Sequence, residues 1–265
     1  MKGIPIVKDK KTNLFIILSG IFLTNAILAE MIGVKIFSLE STLGLPPVHL
    51  KFFMDTPLDF NLTAGVIIWP IVFITTDIIN EYFGKNGVKK ISFLSAGFIA
   101  YIFLVIFFVT KLPPAPFWIK VNEFDPQGHY FNIDYAFRNI FRQGMGIIVG
   151  SITAFLIGQL LDVFIFQQVR FITGHKMIWL RATGSTIVSQ FIDSFVVLII
   201  AFYLFGNWSW SQVISVGIMN YIYKFIIAIA VTPLLYVGHF FIDRYLGKEI
   251  ATEMSDEASV DRSFF

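Results

Sequence analysis

The stretch Thr183–Phe205 reads TGSTIVSQFIDSFVVLIIAFYLF and holds one charged side chain, Asp193, in 23 residues. At about 1.5 Å per residue, a helix of this length crosses the roughly 30 Å hydrocarbon core of a bilayer. Working outward, five more stretches of this kind appear: about Leu14 to Val34, Leu62 to Tyr82, Val88 to Thr110, Gly144 to Phe166 and Gln212 to Ile242. Composition agrees. The 265 residues are 56% hydrophobic and 14% charged, with 31 Phe and a mean hydropathy of +0.73, whereas soluble proteins carry about 25% charged residues. The expected fold class is all-α integral membrane: a single six-transmembrane-helix domain over residues 1–247, then a polar, disordered cytoplasmic tail over 248–265. The first apolar stretch lacks a small-residue cleavage signature, so it reads as a retained helix rather than a signal peptide.

Orientation follows from Lys and Arg in the connections. With the N-terminus inside, the inner segments hold Lys2, Lys8, Lys10, Lys11, Lys85, Lys89, Lys90, Arg170, Lys176, Arg181, Arg244, Lys248 and Arg262. The outer segments hold Lys35, Lys51, Lys111, Lys120, Arg138 and Arg142. The bias of 13 to 6 places both termini in the cytoplasm, in a multi-pass protein of a bacterial inner membrane. Two outer connections, 35–61 and 111–143, are long and carry Pro46, Pro47, Pro57, Pro113, Pro114, Pro116 and Pro126. The second also carries Phe117, Trp118, Phe124, Tyr130 and Phe131. Proline with aromatics suggests segments packed at the interface, which either cap a cavity or simply anchor the bundle.

Charged groups deep in lipid are costly, at least about 2.5–3.5 kcal/mol each on insertion scales. Depth along each stretch puts Asp193 and Lys224 both near the midplane, where opposite charges can pair. Asn25, Gln190 and Asn220 fall near the same level. Gln190 with Asp193, and Asn220 with Lys224, are spaced to share a helix face. A second layer lies toward the cytoplasm: Asp77 with Glu81 on one stretch, Gln159 with Asp162 on another. Glu30 lies nearer the outside. Trp69, Phe73, Tyr221 and Tyr223 are candidate stacking surfaces. The plain alternative is structural: Asp193 and Lys224 lock two helices, while Glu81 and Asp162 meet basic residues near helix ends. Gly146, Gly150, Ala154 and Gly158 recur every four residues, a small-residue ridge for close helix packing within the chain, with a second copy, or with another subunit.

Enzyme chemistry has little to stand on. The chain has no cysteine and no G-x-x-x-x-G-K-[ST], H-E-x-x-H or G-x-S-x-G motif. Its histidines, His49, His129, His175 and His239, have no metal-site spacing, so no metal or other cofactor is expected. A net charge of +2 without a basic stripe gives no sign of nucleic-acid binding.

Trp69–Gly84, WPIVFITTDIINEYFG, resembles the signature of the queuosine-precursor transporters, also called the vitamin uptake transporter family. So do Gly158–Phe166, GQLLDVFIF, and Ser185-Thr186 with Gln190 and Asp193-Ser194. Asn220-Tyr221 with Lys224, and Asn25 with the stretch to Lys35, complete blocks that span most of residues 20–240 in the family's order. The resemblance implies an inner-membrane importer of queuosine precursors for salvage into tRNA modification: 7-cyano-7-deazaguanine, 7-aminomethyl-7-deazaguanine or queuine. It implies a bundle similar to the substrate-binding subunits of energy-coupling-factor transporters. Partners would be the deazapurine, the bilayer, and a second copy or energy-coupling subunits.

Such a base presents N1–H and 2-amino donors, an O6 acceptor and a flat face. The expected site is Asn25, Glu30, Trp69, Gln190, Asp193, Asn220, Tyr221 and Lys224. Asp193 or Glu30 accepts from the base, the amides read its other groups, and Lys224 balances the carboxylate. Asp77, Glu81, Gln159 and Asp162 form an inner gate or proton site. Competing readings are a substrate-binding subunit for another vitamin-like molecule working with an ATPase module, an integral-membrane enzyme using Asp77, Glu81 and Asp162, and an assembly protein using the glycine ridge.

Overall fold

The computed structural model describes residues 9–33, 35–49, 59–142, 145–174, 177–205 and 207–260. Lys2, Lys8, Val34, Lys51, Pro57, Gly144, His175, Lys176 and Arg262, used above, lie outside the described residues. Among the described residues the fold is all-α apart from one two-stranded ladder and an isolated bridge between Phe124 and Tyr130. Five helices are long and apolar enough to cross a membrane: α1 (Lys10–Ile32), α3 (Trp69–Val109), α6 (Met145–Thr173), α7 (Ile178–Leu198, continuing as a π-helical turn to Leu204) and α8 (Trp210–Leu246). Many of their apolar side chains face outward: Phe93, Phe108, Ile172, Phe240 and Phe241 are more than half exposed. The interior mixes an apolar core, with Phe22, Val72, Ile79 and Phe166 buried, and polar groups, with Asn80, Ser92, Arg181 and Ser194 fully buried. An apolar exterior with the charged groups inside is what a lipid solvent selects.

The helices expected over Leu62–Tyr82 and Val88–Thr110 are joined in one run, α3, broken in direction at Gly84 (φ +65°, ψ −173°). Only glycine adopts this conformation without strain. The helix also starts seven residues later than the hydropathy suggests. Leu62 lies in β2 (Asn61–Thr63), which pairs antiparallel with β1 (Ile36–Ser38). A single 3₁₀ turn, Ala64–Ile67, follows. Gly65 in that turn sits against α1 so closely that a Cβ would come within 2.6 Å of the Ala29 carbonyl oxygen. Pro70 then begins the helix, in the first-turn position that suits its missing N–H.

The described parts of the two long connections are folded. α2 (Leu39–Thr42) is tied down by Glu40, whose carboxylate accepts from the Phe60 N–H at 2.7 Å and the Ser38 hydroxyl at 3.1 Å. α4 (Pro116–Val121) and α5 (Ile133–Phe141) meet through an edge-on contact of Trp118 with Phe137. Phe117, Val121, Tyr135 and Ile140 point outward.

The tail differs from expectation. Lys248–Val260 is a helix, α9, with Ala251, Met254, Ser255 and Ala258 buried. It packs chiefly on α3. Hydropathy misses it because its apolar stripe is narrow and its remaining positions are polar. Arg170, Glu81 and Ser255 meet there, Lys11 pairs with Glu253 at 3.6 Å, and the Lys10 ammonium donates to the Tyr245 carbonyl at 2.9 Å. The end of the bundle with most of the basic residues is thus closed by α9.

Gly84 packs against Ala258 of α9, where a Cβ would lie 3.3 Å from the Ala258 carbonyl oxygen. Gly84→Val should therefore strain the backbone by about 1–3 kcal/mol and also push α9 away. The expected outcome is a lower melting temperature in detergent and faster proteolysis within 248–260. A Gly97→Ala control, where nothing lies within 4 Å, should change neither.

Candidate functional site

α7 brings the first groups together. Gln190 and Asp193 lie about one turn apart, and α6 approaches them through its small residues. A Cβ on Gly158 would touch Asp193 at 3.5 Å, and one on Gly150 would meet Ala201 at 3.1 Å. Ala154 between them is buried. Gly146 lies in the first turn of α6, where only the backbone is described. From Gly150 to Gly158 the ridge is used inside the chain, against α7.

Lys224 of α8 forms an ion pair with Asp193 across the α7–α8 interface. The two side chains are 15% and 19% exposed, so neither is sealed off. Gln190 is buried beside them, and its Oε1 accepts no hydrogen bond among the described residues. Gln190, Asp193, Gln159, Trp69, Phe73 and Phe155 enclose one small cavity of about 20 Å³. Lys224 lines a second, of about 10 Å³, with Trp69, Phe73 and Tyr223. Trp69 and Phe73 stack at 5.9 Å with 19° between ring planes. Ligand pockets usually measure about 300–1,000 Å³, so these voids hold a water molecule and not a heterocycle. Phe73 covers one face of Trp69.

Three of the expected binding residues lie apart from these cavities. The Asn25 side chain donates to the Ile21 carbonyl of its own helix at 2.8 Å. Tyr221 packs between the outward-facing rings of Phe191 and Phe225, at 5.2 Å and 6.3 Å. Asn220 is half-buried one turn from Lys224 and lines neither cavity. Glu30 is closer: both its carboxylate oxygens accept from the Ser151 hydroxyl of α6 at 2.6 Å, and the Asp193 charge acts on it.

The inner groups divide between two settings. Gln159 accepts from Thr76 at 3.2 Å, and Asp162 from Ser189 at 3.1 Å. Asp77 is buried and lines a third cavity of about 20 Å³, between α3, α7 and α8. Glu81, by contrast, is held in an ion cluster: Arg181 at 2.7 Å, Arg170 at 3.5 Å and the Ser255 hydroxyl at 2.8 Å. Arg181 is 0% and Arg170 3% exposed. Both were counted as loop charges from the sequence, yet they lie within α7 and α6. Tyr82 adds a neighbouring link to α8: its hydroxyl donates to Asp243 at 2.7 Å and lies 2.9 Å from His239 Nδ1. A readable signal existed for part of this. Thr183, Thr186, Gln190 and Asp193 follow helical spacing and form one polar stripe.

Comparison with known proteins now bears on the whole. Residues 63–238 match the model of the family described as "Putative vitamin uptake transporter". The chain belongs to this family. It is 28% identical over 232 residues to the "Probable queuosine precursor transporter" of Haemophilus influenzae, covering 85% of this chain and 86% of that protein. It is 28% identical over 182 residues to the Bacillus subtilis protein of the same description, covering 68% and 73%. The "Queuosine precursor transporter" of Escherichia coli is 26% identical over 179 residues, covering 65% and 70%. No solved structure matches. The chain is thus a multi-pass membrane protein of a transporter family.

The Asp193–Lys224 pair gives a stability prediction. Removing one partner of a poorly solvated pair strands the other charge, whereas replacing both with apolar groups does not. Lys224→Met alone should lower the melting temperature in detergent, and Lys224→Met with Asp193→Leu should recover part of the loss. Simple additivity of the two single changes would show that the pair is not energetically coupled.

Proposed function

We propose that this chain imports a 7-deazaguanine precursor of queuosine through a six-helix bundle, the two halves of α3 counting as separate crossings, with both termini in the cytoplasm of a bacterial inner membrane. The reading is carried by one observation: Gln190, Asp193 and Lys224 converge on the stacked rings of Trp69 and Phe73. The names of the relatives and the chemistry of the base support the same choice. The guanine-like edge offers two N–H donors to the Asp193 carboxylate. The unpartnered Gln190 Oε1 offers another acceptor, and Lys224 releases part of its hold as the base arrives. Phe73 turns off Trp69 and the base takes its place. Asp77 and Asp162 then line the inner gate.

The family description, vitamin uptake, favours a second reading: a substrate-binding subunit for another vitamin-like molecule that works with an ATPase module. The ridge on α6 is spent inside the chain, so it lends no support to a homodimer or an assembly role.

Uptake of labelled deazaguanines into bacteria that cannot make queuosine tests the proposal. Expression of the chain should restore accumulation. Losing a hydrogen bond to a charged group removes about 1.5–3 kcal/mol, so Asp193→Ala should weaken uptake by at least about tenfold at low substrate. Lys224→Met with Asp193→Leu should remain inactive even where it restores stability. Normal transport by both Asp193→Ala and Lys224→Ala would refute the site. A thermal shift with another vitamin and none with deazaguanines would favour the second reading.

A further inference from the structure

The third cavity poses a separate electrostatic problem. Asp77 is 6% exposed, lines this cavity, and its Oδ1 has no hydrogen-bond partner among the described residues. The charges acting on it are the carboxylates of Asp162 and Glu81 and the guanidinium of Arg181. Both nearby guanidiniums, Arg181 and Arg170, are engaged by Glu81. Among the described residues Asp77 itself makes no ion pair, in a region where solvation is poor.

The same cavity is lined by Thr183 and Thr186 of α7 and Thr232 of α8. The Thr183 and Thr232 hydroxyls are 2.7 Å apart, bridging the two helices. Each hydroxyl oxygen has lone pairs beyond those used in such a bond. The volume of about 20 Å³ admits one particle the size of a water molecule.

We propose that this cavity binds a sodium-sized monovalent cation, with Asp77 as the anionic ligand and the threonine hydroxyls as neutral ones. An all-oxygen donor set suits a hard cation. One carboxylate, Asp77, in the cavity wall suits a monovalent ion over a divalent one. A proton on Asp77 would neutralise the charge too, but it requires neither a cavity nor hydroxyls from two other helices. The ligands come from α3, α7 and α8, so a bound cation ties these helices together.

The position also couples it to the outer cavities. Phe73 lines all three. A ring movement that admits a ligand beside Trp69 changes the wall of the cation cavity at the same moment. This coupling step rests on the transport reading above; cation binding itself does not.

The test uses the full chain purified in detergent, at fixed pH, with no substrate. Melting is followed as sodium chloride replaces choline chloride at constant ionic strength. A saturable rise in melting temperature with sodium is expected, as for any ligand of the folded state. Asp77→Asn should abolish it. Thr232→Val, which keeps the charge, should shift half-saturation to severalfold higher sodium. Equal melting in the two salts overturns the proposal, as does a sodium response that survives Asp77→Asn. A response to pH with none to sodium also overturns it and identifies a proton. If Asp77→Asn does not fold, unchanged half-saturation in both Thr232→Val and Thr183→Val decides against the site. A sodium response without any deazaguanine response would sink the transport reading while leaving this one standing.

Discussion

Glu81 stands where four helices meet, and its burial dictates how they meet. A carboxylate removed from water needs compensation close by, since the desolvation of a lone charge far exceeds the worth of any single contact. The compensation comes from α7 through Arg181, from α6 through Arg170 and from α9 through Ser255. Arg170 also donates to the Glu81 backbone carbonyl at 3.1 Å and to the backbone of Ser255. Three residues later, Gly84 lets α3 turn and lets α9 lie against the turn. This end of the bundle is therefore a knot of charge-assisted hydrogen bonds, with the Tyr82–Asp243 bond as its second strand. Exposed apolar side chains on the outer faces contribute little to helix association in lipid, which is as apolar as they are. The specific contacts of the interior carry that burden.

Much of this architecture is legible in hydropathy, because a bilayer imposes one length on every crossing. The stretches assigned to α1 and α8 fall within four residues of the observed helices, while α7 begins five residues earlier and α6 ends seven residues later than expected. Legibility fails where tertiary packing overrides local composition. Leu62–Ile68 is as apolar as a helix, but the close approach of Gly65 to Ala29 holds it in a strand and a 3₁₀ turn. Lys248–Val260 is too polar for a membrane helix, yet it folds because α3 offers a partner for its narrow apolar stripe. Arg170 and Arg181 look like loop charges because they flank the loop sequence, and nothing local reveals that Glu81 draws both inside.

The candidate site shows a sharper limit. Spacing along a helix gives depth, and depth is one coordinate; the direction in which a side chain points is another. Asn25, Gln190, Asp193, Asn220 and Lys224 were placed at one level, but only Gln190, Asp193 and Lys224 face the shared cavities. Tyr221 and Tyr223 are two residues apart, about 200° around a helix, so Tyr221 lies among lipid-facing rings while Tyr223 lines a cavity. Asn25 shows why a polar residue in lipid need not face a partner. A short amide satisfies itself on the carbonyl four residues earlier. A carboxylate has no donor to spend in that way. Asp193 must find a cation, Glu30 a hydroxyl, and Glu81 its arginines. Charged positions are thus better guides to the interior than amides at the same depth.

Phe73 joins these separate constraints, because it lines all three cavities. On one side of it lies a compensated layer, the Asp193–Lys224 pair; on the other lies a layer in which the Asp77 Oδ1 accepts no hydrogen bond among the described residues. A water path joining the two would let each carboxylate be solvated at will, and the cost that keeps the layers distinct would vanish. The Phe73 ring, stacked on Trp69, stands between them in the wall of all three cavities. In the proposed transport reading, a flat ligand that takes over the Trp69 face would restore the seal as Phe73 gives it up. A single aromatic side chain can serve in this way because it is the wall common to every cavity it separates.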